Sequence, residues 1–250
     1  MKRLICSVLI VVLVSCTSEN APDCFQEAGE IVRQEVNLDV FTKITVFENS
    51  SLILKQGDVQ KVEIETGKFL LNEVTAKLDG DRLLIRNENG CNFTRGYGLT
   101  KVYVTSPNIT EIRSSTGLPI KSEGVLGYAS LKLFSESFID PETETTDGEF
   151  NLDLDAGNLE IVVNGIAYFS LSGNVDNLRI IIAAGDSRIE AKNLSANTVN
   201  LNHRGTNDLL VNPQQSITGV IRGTGDVISF NQPSTIEVNE LYTGKLIFKE

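Results

Sequence analysis

The residues in this chain whose types and spacing could do chemistry are few. Glycoside hydrolysis needs two carboxylates about 5 to 9 Å apart, and Asp153, Asp155 and Asp176 are the acidic residues that successive repeats could bring together. On an acidic β-protein such residues are expected to be solvated faces. A polysaccharide lyase would want a basic cluster, but Arg179, Arg188, Arg204 and Arg222 are dispersed along the sequence. The single histidine, His203, has no Ser or Cys nucleophile at a recognisable spacing. Its neighbours Asn202 and Gly205 suggest a structural histidine at a chain corner. Gly185-Asp186 and Gly225-Asp226 invite a phosphate-loop or calcium-repeat reading. A phosphate loop needs a Lys-Ser/Thr that opens a helix, and calcium-binding nonapeptides need dense Gly-Gly-x-Gly-x-Asp tracts; the sequence has neither. The expectation is therefore no catalytic residue, no cofactor and no metal.

The cysteines carry more. Lys2 and Arg3 precede an apolar stretch from Leu4 to Val14, broken only by Ser7. Spanning a bilayer takes about 20 apolar residues, so this stretch suits a secretory signal instead. It closes on Leu13-Val14-Ser15-Cys16, which resembles the lipobox of bacterial lipoproteins. That resemblance implies removal of residues 1–15, a diacylglyceryl group on the Cys16 thiol, and membrane attachment by burial of acyl chains at about 0.8 kcal/mol per CH₂. A polar run from Thr17 to Asp23 follows, as a tether should. Cys6 lies in the discarded segment, which leaves Cys24 and Cys91. In an oxidising compartment a disulfide between them is expected, worth roughly 4 kcal/mol on the chain-entropy model.

The positioning elements are strands. Period-2 alternation recurs in Ile44-Thr45-Val46, Leu52-Ile53-Leu54, Val62-Glu63-Ile64-Glu65, Leu83-Leu84-Ile85 and Val102-Tyr103-Val104, with turn formers between them. Only residues 69–77 could pass as a short helix, and Val74 and Thr75 argue against it. The second half repeats: Gly165, Gly185, Gly205 and Gly225 fall twenty residues apart, and Gly244 comes one residue short of the next step. Each interval holds apolar alternation, as in Leu159/Ile161, Ile180/Ile182 and Val199/Leu201. About 20 residues with two short strands is the size of one coil of a β-solenoid, whose stacking buries an apolar stripe that no coil buries alone. Glycine at each corner would supply positive φ, and Asn158, Asn174, Asn193, Asn200, Asn202 and Asn207 suit corner or ladder positions. A β-sandwich is the competing architecture; the twenty-residue register favours the solenoid.

These stretches, in order, resemble the DUF2807 family, described as a putative auto-transporter adhesin, head GIN domain. The resemblance rests on Phe41-Thr42-Lys43-Ile44-Thr45-Val46, Leu52-Ile53-Leu54-Lys55-Gln56-Gly57, Asp79-Gly80-Asp81-Arg82-Leu83-Leu84-Ile85 and Val102-Tyr103-Val104-Thr105-Ser106-Pro107. It continues in Ser115-Thr116-Gly117, Ile221-Arg222-Gly223-Thr224-Gly225-Asp226-Val227 and Gly244-Lys245-Leu246-Ile247, covering roughly residues 36–248. Ala184-Gly185-Asp186 and Arg204-Gly205-Thr206-Asn207 are degraded versions of the family's Gly-Ser-Gly-Asp turn. The resemblance implies a right-handed, parallel β-helix-like solenoid and an envelope location.

The expected organisation is a signal peptide over residues 1–15, a lipidated tether over 16–35, an N-terminal β portion over 36–120 continuous with a β-solenoid over 121–250. The formal charge of −11 becomes −13 once Lys2 and Arg3 are removed, which disfavours nucleic acid and anionic lipid head groups as partners. The expected function is that of a non-enzymatic outer-membrane lipoprotein, facing the periplasm or the cell surface, with a glycan- or protein-binding or adhesive module. A carbohydrate-active enzyme and a periplasmic scaffold are the alternatives.

Overall fold

The computed structural model describes residues 23–93 and 95–249. The apolar N-terminal stretch and Cys16 lie outside the described residues. The chain is all-β: strands β1 (Ile31–Val36), β2 (Lys43–Phe47), β3 (Ser51–Gln56), β4 (Lys61–Gly67), β5 (Val74–Asp79), β6 (Arg82–Asn87) and β7 (Lys101–Ser106) come first. Then follow β8 (Glu111–Ser115), β9 (Pro119–Leu126), β10 (Ser130–Ser135) and four long strands, β11 (Glu149–Val163), β12 (Tyr168–Ile182), β13 (Arg188–His203) and β14 (Leu209–Ile221). β15 (Val227–Ser229), β16 (Thr235–Glu240) and β17 (Leu246–Phe248) complete them. Residues 69–77 hold one 3₁₀ turn, Leu71–Glu73, and then enter β5.

The seventeen strands among the described residues hydrogen-bond into one sheet that curls, nearly closed and barrel-like, around a single interior. Two parallel ladders run through it. One is β6–β2–β8–β10 continued by the C-terminal halves of β11 to β14 and by β16. The other is β7–β3–β9 continued by the N-terminal halves of β11 to β14, then β15 and β17. Each long strand serves both: in β11, residues 149–154 pair with β9 and residues 158–163 with β10.

Parallel in-register pairing stacks like on like, about 4.8 Å per rung, and this is where the apolar alternation goes. One interior column reads Val102, Leu52, Ile120, Phe150, Phe169, Ile189, Leu209, Val227, Leu246. Every member is buried except Leu246. Phe150 and Phe169 stack face to face, with centroids 4.5 Å apart and planes within 6°. The step between rungs varies: Leu159 to Leu178 is 19 residues, Leu178 to Val199 is 21, and Val199 to Ile217 is 18. The fixed twenty-residue register is thus an average over turns of different length.

The N-terminal portion belongs to the same sheet but out of chain order. The β2–β3 rung lies between β6–β7 on one side and β8–β9 on the other. Antiparallel β5 on β6 and β4 on β7, with β1 outside β4, cover that end of the stack. β1 begins within the segment expected to be tether, and a disulfide between Cys24 and Cys91 ties the 3₁₀ turn Asp23–Phe25 ahead of it to the loop after β6. The opposite end, β16 and β17, is an edge; charges such as Glu237 and Glu240 on an edge strand discourage further pairing.

Candidate binding face

The turn glycines sit where the chain passes from one ladder to the other. Positive φ was expected at each corner, but of Gly165, Gly185, Gly205 and Gly225 only Gly185 has it (φ +91°). Close approach explains the others better. A Cβ on Gly225 would lie 2.1 Å from the carbonyl oxygen of Asn207, and one on Gly165 would lie 2.2 Å from that of Thr146. The twenty-residue ladder also slips. Gly223, not Gly225, stacks over Gly205, because the rung between them is shorter by two residues.

Carboxylates stitch these turns together. Asp208 Oδ1 accepts the backbone N–H of Asp226 (3.0 Å), and Asp226 Oδ1 accepts that of Lys245 (2.8 Å). Asp186 accepts from the hydroxyl of Thr206 (2.5 Å). These Gly-Asp turns bind the neighbouring rung with their own carboxylates, and among the described residues no group of three His, Cys, Asp or Glu could hold a metal ion. His203 ends β13 with its ring fully buried. Nδ1 accepts the Gly205 N–H at 3.4 Å, Nε2 has no partner among the described residues, and burial pulls its pKa below the usual imidazole value. The corner location expected for this residue is the one it occupies.

The outer surface of the first ladder carries polar side chains in rows. Asn158, Asn177, Thr198, Ser216 and Thr235 stand in register on five successive rungs. Asn177 Nδ2 donates to Asn158 Oδ1 (3.0 Å), and Thr198 Oγ1 donates to Asn177 Oδ1 (2.8 Å). The next row is Lys132, Glu160, Arg179, Asn200, Thr218 and Glu237, with Glu160 bridged to Arg179 at 3.3 Å and to Lys132 at 3.6 Å. Asp153 lies opposite Ser172 and Asp155 opposite Asn174, while Asp176 accepts from Asn197. The register therefore pairs none of these three acids with another.

The arginines are arranged otherwise than their spacing suggested. Arg33, Arg82, Arg86, Arg113, Arg179 and Arg188 each pair with a glutamate, and Arg95 donates to backbone carbonyls. Arg204 and Arg222 make no ion pair among the described residues, and they lie on adjacent rungs. Their preceding residues, His203 and Ile221, are register partners, and the Arg222 N–H donates to the His203 carbonyl at 2.7 Å. Leu241 stacks next in the same column, its N–H on Ile221 O at 2.8 Å. Asn202, Arg204, Arg222, Leu241 and Tyr242 line an open notch of about 600 Å³. Sequence reasoning missed this grouping. The signal was present in the 18-residue interval between the two arginines, which equals the local rung length.

The rungs from β2 to β15 coincide with the match to a family model, DUF2807 (putative auto-transporter adhesin, head GIN domain), over residues 40–233. The chain belongs to the DUF2807 family. Its fold is similar to that of a putative adhesin from Bacteroides fragilis, at 17% identity and a TM-score of 0.77, covering 89% of this chain and 99% of that one. A putative lipid binding protein from Parabacteroides distasonis matches at 14% identity and a TM-score of 0.59, covering 89% and 98%. A putative adhesin from the same organism matches at 14% identity and a TM-score of 0.60, covering 88% and 99%. No curated protein sequence matches the chain. Leu241 and Tyr242 lie beyond the residues that the DUF2807 model matches.

Proposed function

We propose that this chain is a non-enzymatic outer-membrane lipoprotein, anchored through a diacylated Cys16, that presents a right-handed β-solenoid as an adhesive or ligand-binding face. The observation that carries the reading is the set of polar rows in register along the outside of the stack. A rigid array of side chains repeating about every 4.8 Å suits contact with an extended partner, a glycan or a protein, better than it suits a reacting centre. The DUF2807 match supports adhesion and an envelope location. The Leu13-Val14-Ser15-Cys16 motif supports the anchor. Parallel ladders stepping by 18 to 21 residues support the solenoid.

The test is incubation of the full-length protein with arrayed plant and host polysaccharides, scored for retention and for released reducing ends. Retention without release is the expected result. Cleavage of any polysaccharide would replace this reading with a carbohydrate-active enzyme.

A further inference from the structure

We infer that the notch at the C-terminal end of the stack, built from Arg204, Arg222, Tyr242 and Asn202, binds a saccharide that carries a single carboxylate. The inference rests on the reading of the chain as a binding module and names a ligand class for one place on it.

Charge is the first ground. In a chain of formal charge −11, the two arginines whose side chains have no ion-pair or hydrogen-bond partner among the described residues lie on adjacent rungs, and both are exposed. The carboxylates of the adjoining turns and of the end of β16 hold donors elsewhere in the protein and do not line the notch. Asp208 and Asp226 take backbone N–H groups, Asp186 takes the Thr206 hydroxyl, and Glu240 takes Lys245 Nζ (3.0 Å) and the Leu246 N–H (2.9 Å). Two guanidinium groups one rung apart repel each other and offer planar forks of N–H donors, a geometry that a carboxylate satisfies in bidentate fashion.

Shape and composition are the second. The notch of about 600 Å³ is roomy enough for a sugar ring or two. Tyr242, 60% exposed, offers an aromatic face beside the cationic pair and a hydroxyl at its tip. The Asn202 amide, exposed in the same notch, both donates and accepts, as a sugar hydroxyl requires. An extended polyanion or an anionic bilayer would meet the negative remainder of the surface. A ligand with one terminal carboxylate meets first the charges that line the notch, which are the two arginines and no carboxylate, while screening weakens charges farther away than about 8 Å at physiological salt.

The experiment is calorimetric titration of the full-length protein with sialyllactose, a trisaccharide with one carboxylate, with lactose and sodium acetate as controls. Variants Arg204→Ala, Arg222→Ala and Tyr242→Ala are titrated alongside, and Arg179→Ala serves as a surface control. Sialyllactose should bind, and lactose and acetate should each bind at least tenfold more weakly. Each of the three notch substitutions should weaken sialyllactose about tenfold or more, with unfolding temperatures unchanged because all three side chains are exposed. Failure of the wild type to bind sialyllactose would overturn the inference. So would equal binding of lactose or acetate, or binding that survives both arginine substitutions. Where the notch falls on any of these grounds, retention of an Arg204→Ala/Arg222→Ala double variant on polysaccharide arrays would leave the adhesive reading standing.

Discussion

The turn after β10 holds the most deeply buried charge among the described residues, Glu136. Arg113 is 4% exposed and Glu136 2%, and they face each other in a buried ion pair. Both carboxylate oxygens of Glu136 are used. Oε1 accepts from Arg113, while Oε2 accepts the N–H groups of Phe138 (2.8 Å) and Ile139 (3.1 Å). The Arg113 guanidinium also lies 4.6 Å from the centroid of the Phe134 ring. Glu136→Ala therefore strands a buried cation and two backbone donors at once. Removing one partner of a buried pair costs about 3–5 kcal/mol. At about 2–4 °C per kcal/mol for a domain of this size, Tm should fall by about 6–20 °C, read by circular dichroism. Glu142→Ala breaks an exposed pair with Arg86 in the same loop and should cost less than about 1 kcal/mol. A fall of under 2 °C for Glu136→Ala, or equal falls for both variants, would refute the assignment of Glu136 as the anchor of this loop.

Gly225→Val should cost more than 2 kcal/mol, since its Cβ would penetrate the Asn207 carbonyl, whereas Gly80→Ala, at φ +59° with nothing within 4 Å, should cost only about 1 kcal/mol; denaturant midpoints compare the two. Reducing the Cys24–Cys91 disulfide should remove about 4 kcal/mol, measured as the difference in unfolding free energy with and without reductant. His203 resists protonation in the folded state while an unfolded histidine titrates near 6.5, so the unfolded chain binds more protons as pH falls below that value. Asp208 and Asp226, the charged groups that oppose the shift, do so more weakly than burial enforces it. Stability should thus be full above pH 6.5 and decline below it, and His203→Gln should flatten that part of the profile. The carboxylates Glu63, Asp81, Glu123, Glu190 and Glu240 have pKa values lowered chiefly by lysine, arginine or backbone partners, and their contribution is lost only at lower pH, below about 4.5.

Much of the stack was legible in the sequence because parallel in-register pairing demands the same kind of side chain one rung later. Leu159, Leu178, Val199 and Ile217 announce a repeat for that reason. The turns were legible as glycine, but not the reason for glycine. Positive φ is a local property that a glycine at a turn suggests directly, whereas crowding by the rung before depends on register, as at Gly225 over Asn207. The N-terminal strand order left no local trace, since the β6–β7 rung seats itself outside β2–β3 through pairings between residues 39 and 50 positions apart. Arg204 and Arg222 looked dispersed for a related reason. Eighteen residues is a long way along a chain and about 4.8 Å up a ladder. Tyr242, one residue past Leu241 in their column, is invisible as a neighbour until the final rung is placed.

The proposal that a lipid-anchored domain presents an adhesive face, which requires it to reach the cell surface, is tested most directly by protease shaving of intact cells probed by immunoblot, with Cys16→Ala as the anchoring control. The account predicts digestion of the wild-type domain on intact cells and release of the Cys16→Ala protein from the membrane fraction. Protection until the outer membrane is opened would contradict display and place the domain in the periplasm, where a scaffolding role replaces adhesion. A Cys16→Ala protein that stays in the membrane fraction would contradict the anchor.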